Sequence, residues 1–207
     1  MIFQILIALV LAVGIAGLFW WILRASAQKI AEQYRKLAER FELELTVPDP
    51  AMGGFMRPEP FVHGTYRGRE LAISAPGKGL QNTRQSETMV KLQVADSGLS
   101  MQMTSRGLLG KMQQRDSGQK NRWVSGDNAF DAAVDVRTND GVRLAMILGE
   151  AEQRALLGLI RNSKATIYLG KGVLSLVEIG LIADDDTRER FEQATELLCD
   201  LAEALEA

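Results

Sequence analysis

The chain has little of the chemistry that disulfide frameworks and zinc sites need. Its 207 residues include one cysteine, Cys199, and one histidine, His63. A disulfide joins two cysteines, and structural zinc sites take most of their ligands from cysteine and histidine. These counts exclude an internal disulfide and a zinc site built from several such residues. The formal net charge of −2 also excludes a strongly basic nucleic-acid binder on composition.

Catalytic patterns are missing as well. His63 has no second histidine or cysteine to work with, and Cys199 has no basic neighbour in the adjacent turn, so we expect structural roles for both. Gly77-Lys78-Gly79 and Gly170-Lys171-Gly172 lack the rest of a phosphate-loop motif and are interpreted as turns. Asp184-Asp185-Asp186 precede a predicted helix, where carboxylates are expected as caps. We therefore predict no enzymatic activity and no cofactor.

One long apolar run dominates the N-terminal part. Residues 2–23 contain a single polar side chain, Gln4. A helix of this length spans ~33 Å, which matches a hydrocarbon core of about 30 Å. A cleaved signal peptide is the alternative, because Ala25-Ser26-Ala27 has the small-x-small pattern of a cleavage site. The absence of a basic residue before the run, its length and its bulky end at Phe19-Trp20-Trp21 favour a membrane anchor at residues 1–23.

The basic residues near this run predict its orientation. None precedes it, whereas five follow within the distance over which the positive-inside rule operates: Arg24, Lys29, Arg35, Lys36 and Arg40. The remainder of the chain is therefore expected in the cytoplasm, with the N-terminus outside. Trp20 and Trp21 would lie at the cytoplasmic headgroups, with Arg24 just beyond them.

Small residues recur inside the span. Ala8, Ala12 and Ala16 are four residues apart, which places them on one helix face where two spans could approach closely. Alanine is also common in membrane helices without any packing role. The stripe is therefore a candidate for helix packing, with ordinary composition as the alternative.

The rest of the chain predicts an α+β fold, with antiparallel β-hairpins and helices packed on one face. Residues 24–41 have helical spacing of apolar side chains and are predicted to form a juxtamembrane stalk, followed by a domain at residues 42–207. Strands are expected at residues 41–47 and 130–137. Hairpins are expected at 61–66 with 69–74, 88–95 with 99–104, and 166–169 with 173–179, followed by helices after residue 141 and a long helix after residue 186.

Charge is segregated in the C-terminal half of the chain. Residues 184–207 carry nine acidic and two basic residues, a net of −7, whereas residues 104–127 carry five basic and two acidic residues, a net of +3. The basic segment also has apolar side chains between its charges. It is a candidate contact for anionic lipid or an acidic partner, with a solvated loop as the alternative. The candidate contact residues are Arg106, Leu108, Leu109, Lys111, Arg115, Lys120, Arg122 and Trp123.

Two short patterns resemble features of uncharacterised bacterial single-pass membrane-anchored proteins. They are the V-x-G-x-Y-R-G-R pattern at residues 62–69 and the G-D-x-x-F-D pattern at residues 126–131. The resemblance implies a bacterial origin, and hence the bacterial inner membrane, but no activity. The small-residue stripe, the predicted stalk and the missing catalytic patterns favour a non-catalytic accessory or scaffold subunit of an integral-membrane complex, for instance a photosynthetic or respiratory assembly. The alternative is a membrane-tethered module that binds a lipid headgroup, a peptide or a small ligand.

Overall fold

The computed structural model describes residues 2–50, 58–75, 87–106, 121–163 and 165–206. It begins with α1, Ile2–Phe41, a single helix of 40 residues. No proline interrupts this sequence, so nothing in it removes a backbone donor or kinks the helix. The helix ends at Phe41, and the left-handed φ of 54° at Glu42 lets the Leu43 amide donate to the Ala38 carbonyl at 2.8 Å.

Nine strands of the described residues form one sheet, in the order β1-β2-β3-β4-β9-β8-β5-β7-β6, and every neighbouring pair is antiparallel. Within the described ranges, four helices follow α1. The strands are β1 (Glu44–Thr46), β2 (Phe61–Tyr66), β3 (Arg69–Ser74), β4 (Glu87–Gln93), β5 (Met101–Ser105), β6 (Asn121–Trp123), β7 (Val134–Thr138), β8 (Thr166–Gly170) and β9 (Val173–Ile179). The helices are α2 (Asn128–Ala133), α3 (Gly141–Ile147), α4 (Glu150–Ser163) and α5 (Asp185–Glu206).

The two faces of the sheet differ in polarity, because successive side chains on a strand point to opposite faces. One face carries apolar pairs such as Leu71 with Leu92, and Val90 with Leu176, and these residues are buried. On the opposite face one continuous row runs across all nine strands. It consists of Glu44, His63, Ala72, Lys91, Ser175, Tyr168, Gln102, Arg137 and Arg122.

Helices α1 and α5 pack against the apolar face and against each other. In α1, the side chains of Tyr34, Leu37 and Phe41 are at most 1% exposed, and Phe41 meets the Tyr66 ring edge-on at 4.9 Å. In α5 the buried residues have the three-and-four spacing of an amphipathic helix. Residues 30–41 therefore belong to the core of the sheet domain, and the segment expected as a stalk continues into it as one rigid helix.

The predicted fold class is confirmed, and so are two of the three hairpins. Both use two-residue turns with positive φ at each position, Arg67-Gly68 between β2 and β3 and Lys171-Gly172 between β8 and β9. This geometry is the type I′ turn, whose twist suits antiparallel strands. The helices after residue 141, broken near Gly149, and the long final helix are also confirmed.

Three local predictions were wrong. The hairpin predicted at 88–95 with 99–104 does not form: β4 and β5 do not pair, because β9 and β8 lie between them in the sheet. The turn at Asp96 therefore connects two strands that are not neighbours. The strand predicted at 130–137 is confined to Val134–Thr138, and residues 130–133 belong to a helix instead, since the Asp127 carboxylate accepts hydrogen bonds from the amides of Ala129 and Phe130 and caps it. Phe41 ends α1, so the first strand is confined to Glu44–Thr46.

Candidate functional site

The N-terminal part of α1 exposes a long run of apolar side chains. Among the described residues α1 is the one helix long and apolar enough to cross a membrane, and none of its most apolar stretch is buried. Ala12 and Ala16 lie exposed on one side of it, and Ala8 lies one turn earlier. The Arg24 guanidinium lies 5.3 Å from the centre of the Trp20 ring, so two of the predicted interface residues are in contact, while Trp21 is exposed.

The acidic face of α5 is matched by basic residues from α1 and the β2–β3 hairpin. Arg67 lies 2.5 Å from Glu196 and 2.7 Å from Asp200, and Arg69 lies 2.7 Å from Glu206. The hydrogen bond to Asp200 is the main cause that raises the pKa of Arg67. Further pairs join Lys36 to Asp185 and Arg40 to Glu196. The negative charge of residues 184–207 thus faces basic residues of α1 and of the β2–β3 hairpin.

A groove of about 700 Å³ opens on the opposite, polar face, across strands β1 to β4. Three exposed carboxylates, from Glu42, Glu44 and Glu70, line it together with the ammonium group of Lys91. No ion pair of the described residues includes any of these four groups. The remaining lining residues are His63, Gly64, Thr65, Leu71, Ala72, Gln93 and Val173. We call this feature the open-face groove.

Sequence reasoning missed the open-face groove. Its charged residues come from the end of α1 and from three separate strands, so no local motif joins them. The alternation of polar and apolar residues does predict which side chains share a face of each strand. Only the register, which places Glu44 beside His63, and Lys91 beside Ala72, brings them together.

The cysteine and the aspartates considered in the sequence occupy positions with a structural role, whereas the histidine does not. Cys199 is buried and its pKa is raised by desolvation to about 11, which suits a small apolar residue and not a nucleophile. The Asp184 carboxylate accepts a hydrogen bond from the Thr187 amide at 2.7 Å and caps α5. In the part of the chain described, no group of three or more metal-ligating side chains occurs. The exception is His63, which is exposed in the open-face groove.

A partly buried ion pair lies on the helix side of the sheet. The Arg190 guanidinium donates to the Glu178 carboxylate at 2.7 Å, and Glu178 is 7% exposed. Desolvation raises the pKa of Glu178, and the contact with Arg190 offsets part of that rise. The pair links the end of β9 to the first turns of α5 and is therefore a structural contact.

Part of the predicted basic contact is engaged within the domain. Arg106 donates to the Asp131 carbonyl at 2.6 Å, and Arg122 lies 3.5 Å from Asp135. Trp123 is half-buried and packs against the core and Gly141. Leu108, Leu109, Lys111, Arg115 and Lys120 lie outside the described residues, as does Gly77-Lys78-Gly79. The lipid or partner contact of this segment stays a prediction.

These features define the class of protein: an α+β domain, one antiparallel sheet under a layer of helices, carried on a helix long and apolar enough to cross a membrane. The fold is similar to that in the crystal structure of the mycobacterial trehalose monomycolate transport factor A, TtfA. The TM-score is 0.56 and the sequence identity 8%, over 85% of this chain and 94% of that chain. At this identity the likeness concerns the fold. No protein-family model and no curated protein sequence matches the chain.

Proposed function

We propose that the chain is a non-catalytic, single-pass accessory subunit of an integral-membrane assembly in the bacterial inner membrane. The observation that carries the proposal is the continuity of α1. Its exposed apolar part and its buried part, residues 30–41, belong to one helix. A membrane anchor attached in this way holds the domain at a defined height and orientation, as a docking subunit requires, whereas a flexible linker would leave both undefined.

The proposed orientation places the domain in the cytoplasm. The five basic residues between Arg24 and Arg40 all follow the apolar stretch, as the positive-inside rule requires of a cytoplasmic flank. The contact between Trp20 and Arg24 suits the cytoplasmic headgroup level.

The similarity to TtfA supports the accessory role through the shared fold, since that protein is named as a transport factor. Neither the fold nor this similarity favours a photosynthetic or respiratory assembly. The partner is therefore identified by experiment, from the proteins that accompany the chain out of the membrane.

The test is purification of the full-length chain from its native membranes in mild detergent, followed by size separation. An accessory subunit elutes with integral-membrane proteins in a fixed ratio. Ala12→Leu adds bulk to the small-residue stripe and should lower the amount of partner recovered. Gly14→Leu is the matched control, because position 14 lies about 200° around the helix from position 12. It should leave recovery unchanged.

The outcomes separate two ideas. A free monomer in every preparation would contradict the accessory role. Equal recovery with Ala12→Leu and Gly14→Leu would contradict the stripe as the contact and leave the accessory role in place. Carbonate extraction checks that both variants remain inserted.

The open-face groove favours a second candidate function. Its volume of about 700 Å³ lies within the range typical of ligand sites, roughly 300–1,000 Å³. The chain would then be a tethered module that binds a peptide or small ligand. Elution as a free monomer that still binds such a ligand would favour this candidate.

A further inference from the structure

The charges of the open-face groove are arranged unlike those on the helix side of the sheet. On the helix side Arg67, Arg69, Lys36 and Arg40 each lie within 3.5 Å of a carboxylate of α5. In the groove, three carboxylates and one ammonium group form no ion pair with the described residues, so the carboxylates outnumber the ammonium group by two (three minus one). Like charges lining a concave surface concentrate a potential of one sign, here negative.

The backbone conformation at Glu42 also points to a role for its side chain. Glu42 has a φ of 54° at the end of α1, a position that glycine usually occupies. A residue with a side chain is disfavoured there, because its Cβ crowds the following carbonyl oxygen. The chain nevertheless places a carboxylate at this position, on the rim of the groove. Backbone strain of this kind is often kept where the side chain serves a function.

The distance of Glu42 from the apolar stretch disfavours the bilayer surface as the ligand of the groove under the proposed orientation. Glu42, the residue after α1, lies 18 residues beyond Arg24, which corresponds to ~27 Å along the helix axis at 1.5 Å per residue. Electrostatic interactions in physiological salt are screened over about 8 Å. Anionic headgroups would in any case be repelled by the acidic groove. With α1 upright in the bilayer, the Glu42 end of the groove therefore lies beyond the reach of lipid headgroups.

We infer that the open-face groove binds a lysine- and arginine-bearing cytoplasmic segment of the integral-membrane partner. This inference rests on the proposed accessory function and cytoplasmic orientation. Cytoplasmic loops of membrane proteins carry an excess of lysine and arginine. A groove with excess negative charge, held outside the headgroup region, is complementary to such loops. The four strands are about 14 Å across, which suits a short extended segment lying over them.

The test uses the purified full-length chain in nanodiscs of zwitterionic phosphatidylcholine. The probe is the peptide acetyl-(Lys-Ser)4-amide, with the glutamate peptide acetyl-(Glu-Ser)4-amide for comparison, and binding is followed by fluorescence anisotropy. The basic peptide should bind and the acidic peptide should not. Binding should weaken as salt rises, because exposed charges are screened. Failure of the basic peptide to bind, or equal binding of both peptides, would overturn the inference.

Charge variants localise the binding. Glu44→Gln with Glu70→Gln should weaken binding of the basic peptide roughly three- to tenfold, since two exposed charge pairs are lost. Lys91→Gln should strengthen it, because it removes a like charge. The matched control, Glu39→Gln with Glu150→Gln, changes net charge equally at exposed positions outside the groove and should have no effect. An equal loss in the control would overturn the inference.

Glu42→Gly separates binding from folding. Glycine suits the left-handed conformation, so the melting temperature of this variant should stay the same or rise. Its affinity for the basic peptide should fall nonetheless. Unchanged affinity in a well-folded Glu42→Gly variant would remove Glu42 from the site.

Recovery of the partner from native membranes distinguishes this inference from the proposed function. If the Glu44→Gln with Glu70→Gln variant loses the partner and the matched control keeps it, the groove is the docking site. If both keep the partner, the accessory function stands and the groove inference fails. If even the unaltered chain recovers no partner, the accessory function fails, whatever the peptide result.

Discussion

The ion pairs of Arg67 can be tested against a natural matched control within the same sheet. Arg67 occupies the first position of a type I′ turn with a φ of 49°, and Lys171 occupies the same position of a second turn with a φ of 53°. Each is followed by glycine. Asparagine is favoured at this position, so Arg67→Asn and Lys171→Asn should gain similar turn stability. Of these two residues, Arg67 alone contacts the carboxylates of α5, whereas no ion pair of Lys171 occurs in the described residues.

The expected difference follows from the exposure of the partners. Arg67 is 35% exposed, Glu196 25%, Asp200 62% and Glu203 54%, and the Glu203 contact is the longest, at 3.5 Å. Exposed pairs contribute about 0.2–1 kcal/mol each, so after solvent screening the three contacts contribute about 1 kcal/mol together. We expect Arg67→Asn to be less stable than Lys171→Asn by that amount. In a domain of this size the difference corresponds to about 2–4 °C in melting temperature.

The assay is unfolding of the full-length chain in an uncharged detergent, by heat and by urea, followed by circular dichroism. Urea is used because it leaves ionic strength unchanged. In 1 M sodium chloride the Debye length falls to about 3 Å, and the difference between the two variants should shrink by half or more. Equal stability of the two variants at low salt would refute the reasoning, and so would a difference that salt does not alter.

Three further predictions concern orientation, pH and thiol reactivity. A cytoplasm-dependent reporter fused after Ala207 should be active, and activity of alkaline phosphatase at that position would place the domain outside instead. Burial raises the pKa of Glu178 in the folded state. Its contribution to the free energy of unfolding is therefore full below the unfolded pKa and is lost as pH rises through the folded pKa. Glu178→Gln should flatten the measured slope of unfolding free energy against pH in this window. Since burial raises the pKa of Cys199 to about 11, iodoacetamide at pH 8 should label it only after urea unfolding, and rapid labelling of the native chain would contradict its burial.

The parts of the fold that depend on neighbouring residues were predictable from the sequence. Patterns within a few residues predict two helical segments, residues 30–41 and α5. They also predict the two turns, Arg67-Gly68 and Lys171-Gly172. A helix face repeats every three or four residues, and a two-residue turn needs positive φ at fixed positions. Local signals also misled, however. The helix at Asn128–Ala133 follows from the Asp127 cap, which outweighed an alternating pattern typical of a strand.

The candidate site could not be predicted in this way. Which strands become neighbours depends on packing across the whole sheet, and β9 and β8 separate β4 from β5 although the latter two are consecutive in the described chain. The pairing of Arg67 with Glu196, 129 residues away, depends on how α5 lies over the hairpin. The open-face groove likewise unites Glu42, Glu70 and Lys91 from separate elements. The sequence by itself determined the apolar helix, the turns and the polarity of each strand face, since these follow from local periodicity. Tertiary structure alone decided which charges are neutralised and which face solvent together, because those contacts join residues that no short-range pattern relates.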